Sequence, residues 1–402
     1  MKIVDVKLRQ LQGTMEYPGV LWEERGARPL DIYPAFRQLS AADTVGRQTP
    51  AVGDGRYRLT QVFLNIETDE GITGVVGPLT GDATAFYLAV QLKPLLIGQN
   101  PLATEYLWDV MYRNAPNGRV GDNMIAISHV DFALWDIKGK YLNQPVHALL
   151  GGPVQEKIPA YASTAGFSLA PEKAAERVKM IRAEGFCGSK WFFRRGVGDG
   201  IAGERENVEL MRALREASGP DMHVMIDAWA NWGVPYTLRM ANQLKDYQPA
   251  WIEEPVQYVL HDSYAQLKYE CPIPIAGGEH EYTRWGVKAL LDRDVLDIYQ
   301  LEPIWAGGLS ELMKICALMS SYDVTFVPHV YVPAASAQVA FTQNAMVTPM
   351  LEYHYILGEV YQFFLQQPLK PIQGYFYPPE TPGVGLNVDE EKVESEKEVT
   401  FM

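Results

Sequence analysis

The sequence predicts an α/β protein: a (β/α)8 barrel, of the modified TIM type, joined to a smaller α+β capping domain. Three observations carry that expectation. First, short apolar segments recur after residue 155, at 158–163, 188–193, 223–228, 250–254, 273–277, 296–301, 324–328 and 350–353. Their starts lie 23 to 35 residues apart, with helical patterns such as Pro171 to Glu184 and Asn207 to Ala217 between most of them. Eight strands alternating with helices argue a parallel sheet closed on itself. Second, three neighbouring segments end in an acid. Third, the chain has 402 residues, whereas an α/β barrel uses about 250 as one domain. An open doubly wound sheet is the alternative, but no GxGxxG loop follows the early strands.

Taken in chain order, residues 2–12 and 59–67 read as strands, rich in β-branched and apolar residues. The second runs through Thr68-Asp69-Glu70-Gly71, a hairpin turn, into Ile72–Val76. Residues 13–58 are rich in Gly, Pro and Arg, and a stretch that long is usually a functional lid or disordered. From 84 to 145 the pattern is helical. Asp131 to Lys140 carries apolar residues at i, i+3, i+4 spacing, and Gly151-Gly152-Pro153 ends the run. Residues 370–402 are Pro-rich and then acidic, and read as a return segment with a mobile tail. The expected division is a capping domain over 1–130, a barrel over 131–370 and a segment over 371–402 that returns to the cap.

Composition excludes several classes. The net charge is −14, whereas a nucleic-acid binder normally shows a basic patch or domain. Three scattered cysteines, Cys187, Cys271 and Cys316, form no CxxC and read as reduced thiols of a cytoplasmic protein. The N-terminus has no signal-peptide pattern. No run of about 18 apolar residues is available to span a membrane.

The three terminal acids are Asp227, Glu253 and Glu279. They follow the third, fourth and fifth segments, each 26 residues from the next. Equal ends of adjacent strands bring them side by side at the C-terminal mouth, where barrel active sites lie. Converging carboxylates repel unless a cation neutralises them. All-oxygen ligation selects a hard cation such as Mg2+. The competing structural role is helix N-terminal capping.

These residues, in Met225-Ile226-Asp227, Trp251-Ile252-Glu253-Glu254-Pro255 and Gly277-Gly278-Glu279-His280, make the chain resemble the mandelate racemase subgroup of the enolase superfamily. Gln300-Leu301-Glu302, Ala306-Gly307-Gly308-Leu309, Val327-Pro328-His329, the Asp131–Lys140 segment and Leu149–Gly152 add to the resemblance. It covers nearly the whole chain. It implies a split cap closing over the barrel, Mg2+ held by Asp227, Glu253 and Glu279, and a homo-oligomer.

The resemblance also assigns roles. His329 stands where the family has its general base or acid, paired with an acid at the end of the sixth strand. That acid is usually an aspartate and here is Glu302, one methylene longer. Lys190 matches a lysine that neutralises the substrate carboxylate. The second base expected two residues later is replaced by Phe192, which moves no proton. Glu352 matches a glutamate that hydrogen-bonds the substrate carboxylate, expected protonated so that it donates. His280 is open between a supporting and a structural role. Arg194, Arg195 and the following glycine loop are candidates for substrate hydroxyls, with a solvated basic pair as the alternative. Trp22 and Arg25 are the lid candidates for substrate contact, together with Glu23, Arg28, Tyr17, Tyr33 and Arg37.

One base on one face suffices for dehydration, whereas racemisation normally uses two. The Lys190–Phe192 pattern and Pro382-Gly383-Val384-Gly385-Leu386-Asn387 resemble the rhamnonate dehydratase branch. The expected activity is therefore Mg2+-dependent removal of the proton beside a carboxylate, then loss of the β-hydroxyl, turning a sugar acid into a 2-keto-3-deoxy acid. The alternatives are a racemase, epimerase or cycloisomerase on another carboxylate, and a non-catalytic relative that binds a sugar acid. The expected partner is a small-molecule carboxylate, with neither nucleic acid nor membrane.

Overall fold

The structure, a computed structural model, describes residues 1–37 and 49–401. An antiparallel sheet opens the chain. It contains β1 (Ile3–Glu16), β2 (Ala51–Gly53), β3 (Arg56–Thr68) and β4 (Thr73–Val76). β1 and β3 pair along their whole length, from Ile3 opposite Thr68 to Glu16 opposite Arg56. The turn at Thr68 closes on itself, since Thr68 N and Oγ1 both donate to the Ile72 carbonyl, at 3.1 and 2.8 Å. Part of the expected lid, residues 38–48, lies outside the described residues.

The long helix Asp122–Leu142 joins this sheet to the barrel. It is apolar around most of its circumference and buried over most of its length, as a helix enclosed between two layers must be. Because that pattern is continuous, the helix runs straight through the domain boundary expected at 130/131. Two of its aspartates bind the layers together. Asp131 accepts from Ser310 N at 2.8 Å and from Ser310 Oγ at 2.6 Å, at the first turn of the barrel helix Leu309–Ser320. The Trp135 indole in turn donates to Ser310 Oγ at 2.8 Å. Asp136 accepts from Val75 N on β4 at 3.0 Å and from Val384 N at 2.7 Å, and pairs with Lys140 at 2.6 Å. The glycines beside these acids have a reason. A Cβ on Gly383 would lie 2.1 Å from Asp136 Oδ1, and Gly383 holds φ +85°, which a side chain disfavours.

The barrel strands are β5 (Ile158–Ser163), β6 (Gly188–Phe192), β7 (His223–Asp227), β8 (Ile252–Glu253), β9 (Ile275–Gly277), β10 (Ile298–Tyr299), β11 (Thr325–Phe326) and β12 (Leu351–His354). They are parallel neighbours in sequence order, and β12 returns to pair with β5, so the sheet curls into a barrel. Each of the first seven expected apolar segments contains one of them, and β12 runs one residue past the eighth. Tyr161, Met225, Trp251, Ala276 and Val327 fill part of its interior.

The C-terminal segment corrects one expectation. It is not a mobile tail. After β13 (Tyr375–Phe376), which adds to β5, the strand β14 (Ser395–Glu398) pairs antiparallel with β1, with Arg9 opposite Glu398. Arg9 holds it by ion pairs to Glu390 at 2.9 Å and Glu396 at 2.6 Å. Its sequence Ser-Glu-Lys-Glu is exposed at every position, so no apolar alternation marked it as a strand.

Candidate active site

At the C-terminal ends of the strands, register does what the spacing foretold. Phe192 stands opposite Asp227, and Asp227 opposite Glu253, on consecutive strands. Lys190, two residues before Phe192, points into the same space. Its ammonium contacts Glu253, lies 2.9 Å from Glu352 Oε1 and 3.5 Å from Asp227 Oδ2. Burial opposes its charge, but Glu253 and Glu352 more than offset this and hold the lysine charged. Glu253 is further fixed by Gln300 Nε2 at 2.7 Å and the Trp251 indole at 3.1 Å.

The three acids crowd one another. Burial, then Glu253, pushes Asp227 well above the usual carboxylate range, with Glu279 adding to the effect. Burial raises Glu279 to about 7, with Glu254 adding. The contacts of Glu279 with His329 and His280 are 3.7 Å ion pairs, too long for hydrogen bonds. A hard all-oxygen set, buried and crowded with negative charge, fits a divalent cation such as Mg2+.

Glu254, the second of the adjacent glutamates, was not weighed in the sequence. It has φ +38°, which turns its carboxylate away from the barrel axis to His280 Nδ1, at 2.9 Å. Ligand atoms of Glu254, Glu279 and His280 all lie within 4.8 Å of one another. Burial opposes a charge on His280, but the hydrogen bond to Glu254 raises it to about 9.

On the far side of the mouth, the length of Glu302 proves no obstacle. Its Oε2 accepts from the Tyr331 amide at 2.6 Å and meets His329 Nδ1 at 2.8 Å, while Oε1 accepts from the Ile304 amide at 2.9 Å. The glutamate is thus fixed by two backbone amides and orients the imidazole so that Nε2 faces the cavity. Burial works against a charge on His329, yet Glu279 and Glu302 raise it to about 10. Glu352 departs from expectation. Burial favours its neutral form, but Lys190, His354 and His329 hold it well below the usual range. It is therefore ionised, an acceptor for Lys190 and not a donor.

A cavity of about 280 Å³ lies above these groups. Lys190, Asp227, Glu279 and His329 form its floor, and Trp22, Phe192, Trp229, Trp305, Tyr331 and Tyr361 its largely aromatic walls. Of the expected lid contacts, Trp22 and Arg25 line it, although Arg25 is also tied to Asp31 at 2.6 Å. Arg195 does not. It pairs with Glu206 at 2.7 Å and Asp199 at 3.7 Å and faces another surface pocket, because carboxylates on its own loop and helix lie nearer than the mouth. Several wall residues were not singled out in the sequence, Trp305 and His354 among them. Trp305 follows Glu302 by three residues, and its buried indole N–H has no hydrogen-bond partner. His354 lies one residue beyond the expected end of the eighth strand. Alternation from Glu352 would have found it, since i and i+2 share a face.

Comparison with known proteins matches this arrangement. Residues 51–151 match the mandelate racemase / muconate lactonizing enzyme N-terminal domain, and residues 173–392 the enolase C-terminal domain-like family. The chain belongs to this family. It is 32% identical to an L-rhamnonate dehydratase of Saccharopolyspora erythraea, over 92% of this chain and 90% of that one. It is 33% identical to a D-galactarolactone cycloisomerase of Agrobacterium fabrum, over 83% and 90%. Among solved structures, L-rhamnonate dehydratase from Gibberella zeae superposes with TM-score 0.81 at 29% identity, covering 97% of this chain and 94% of that one. The same enzyme complexed with Mg gives TM-score 0.80 at 28% identity, over 98% and 96%. Among the described residues, no helix is long and apolar enough to cross a membrane.

Proposed function

We propose that this protein is a Mg2+-dependent acid-sugar dehydratase that converts an aldonate of the rhamnonate type into its 2-keto-3-deoxy acid. The observation that carries this reading is the asymmetry of the mouth. A hydrogen-bonded Glu302–His329 pair faces the carboxylates from one side, and Phe192 occupies the second base position on the other. The similarity to rhamnonate dehydratases supports the choice of substrate class.

In this reading Asp227, Glu253 and Glu279 hold the cation, with Glu254 positioned to support Glu279 through His280. Bound there, Mg2+ supplies Lewis-acid stabilisation of the charge that develops on the substrate carboxylate. The chain's own groups do the rest. Lys190 adds a fixed positive charge beside that carboxylate, and Glu352 keeps the lysine ionised. Glu279 is the main source of the charge held on His329, so with Glu279 neutralised at the cation site Nε2 would be free to take the α-proton as general base while Glu302 stabilises the resulting imidazolium. The Cα–H electron pair forms the new double bond as the Cβ–O bond breaks. The proton on His329 leaves with the β-hydroxyl as water, and the enol product becomes the keto acid. The wall of aromatic side chains excludes water from the reacting carbon.

Cycloisomerisation is the second reading, favoured by the likeness to galactarolactone cycloisomerase. It uses the same proton abstraction and expels a ring oxygen in place of water. The test is a screen of the Mg2+-loaded protein against aldonic acids, aldaric acids and their lactones, with 2-keto-3-deoxy acid detected colorimetrically and products resolved by NMR. A keto-deoxy product from an aldonate, absent with His329→Asn, is expected. Turnover of lactones alone would replace dehydration by cycloisomerisation.

A further inference from the structure

The eighth barrel strand carries a second group with chemistry of its own. His354 is buried, and its Nε2 lies 3.3 Å from Nε2 of His329 and 3.7 Å from Oε2 of Glu352. One ligand atom from each of these three residues lies within 4.8 Å of the other two. Tetrahedral coordination at the Zn–N distance of 2.0–2.1 Å sets neighbouring ligand nitrogens roughly 3.3 Å apart. The two imidazoles already have that separation.

The surroundings fit a metal better than a bare imidazole pair. Glu302 meets His329 Nδ1 at 2.8 Å, so a metal displacing the proton from Nε2 would leave Nδ1–H donating to the carboxylate behind it. A carboxylate orienting a histidine from behind is the usual outer support of a zinc ligand. Glu352 divides its oxygens, Oε1 to Lys190 and Oε2 to the Val330 amide at 3.2 Å, with Oε2 also 3.7 Å from His354 Nε2. His354 Nδ1 is buried without a hydrogen-bond partner, so the ring has no other polar anchor. Charge points the same way. Asp227, Glu253, Glu254, Glu279, Glu302 and Glu352 are all buried around this mouth, with Lys190 the buried lysine among them. One ammonium and one dication leave three of those six charges for the histidines or a further cation to balance.

We propose that His329, His354 and Glu352 form a second metal site, selective for a borderline cation such as Zn2+ over Mg2+, and that its occupation silences the enzyme. Two imidazoles and one carboxylate suit zinc, whereas magnesium prefers oxygen. The fourth position faces the cavity, open to water or a substrate hydroxyl. Silencing follows because the metal takes the lone pair that would accept the α-proton. That consequence rests on His329 being the base, whereas the binding itself does not.

The experiment uses the full chain stripped with a chelator and re-equilibrated in excess Mg2+. Co2+ is titrated in as a visible probe, then Zn2+, and bound metal is counted by mass spectrometry after gel filtration. The wild type is expected to show intense tetrahedral Co2+ absorption that Zn2+ abolishes and Mg2+ does not. His354→Gln should weaken that binding by roughly a hundredfold or more, beyond the tenfold to hundredfold typical of losing an outer partner. Asp227→Asn should retain it. The reverse pattern, loss in Asp227→Asn and retention in His354→Gln, would overturn the proposal and place zinc in the carboxylate site. Should His354→Gln fail to fold by its thermal melt, Glu302→Gln serves instead, and unchanged Co2+ binding there overturns it equally. Zinc bound at this site without loss of activity would leave the site standing and remove His329 as the base.

Discussion

Two groups of buried acids in this molecule are built in opposite ways. At the joint between cap and barrel, Asp131 and Asp136 have every oxygen occupied by a donor from a neighbouring element. At the barrel mouth, Asp227 accepts from one backbone amide, Trp229 N at 2.9 Å, and otherwise it and Glu279 meet ions only at 3.5 Å or more among the described residues. The first pair spends its charge on holding two layers together. The second keeps its charge for something that arrives later. Burial alone therefore does not separate a structural acid from a functional one. What separates them is whether the lone pairs are already filled.

The largest expected effect is at the mouth. Asp227→Asn should lower turnover by about a thousandfold or more, since metal stabilisation of developing charge is worth several kcal/mol. Its thermal midpoint should hold or rise, because one repelling charge is gone. A parallel fall in stability and activity would erase the contrast. His329→Asn comes next, with kcat lower by about 10²–10⁴ and α-proton exchange into deuterated solvent lost with it.

The joint should behave in reverse. Asp136→Asn places an amide donor against the N–H of Val75 or of Val384, neither of which can rotate away. It should cost roughly 2–4 kcal/mol in a urea melt, with kcat per folded molecule near wild type. Asp131→Asn is the gentlest change. Its amide oxygen accepts from Ser310 N and its nitrogen donates to the Ser310 hydroxyl, which can turn, so the cost should stay below about 1 kcal/mol. Asp131 also carries a pH signature. Burial raises its folded value to about 7, against 3.8 for the free group. A raised acid binds its proton more tightly when folded. Its contribution is complete below about pH 4 and is lost as pH rises to about 7. Asp131→Asn should flatten that slope in melts taken across the range.

The rhythm of apolar segments made the barrel legible, and the 26-residue spacing made Asp227, Glu253 and Glu279 legible, because one βα unit per acid is a property of the chain alone. Other features have no such one-dimensional trace. The turn that sends Glu254 to His280 is a single backbone torsion. The direction of Arg195 depends on Glu206 and Asp199 lying nearer than the mouth. The jobs of Asp131 and Asp136 depend on Ser310 and Val384, nearly 180 and 250 residues further on. Residues quoted in the sequence as one family segment thus divide, in the structure, between packing and cross-linking. Glu302 shows the converse. Two backbone amides hold its longer side chain against His329 Nδ1, a placement that residue type alone does not fix.

The pairing of β14 with β1 also bears on how the molecule is made. Arg9 stands opposite Glu398, so the two strands are far apart in sequence and the capping sheet lacks this edge until both have been made. Loop-closure entropy grows only slowly with length, and a folded barrel already draws the two ends close. The strand β14 therefore acts as a latch. A protein lacking β14 would keep its carboxylates and its histidine but present the open edge of β1 to any passing strand.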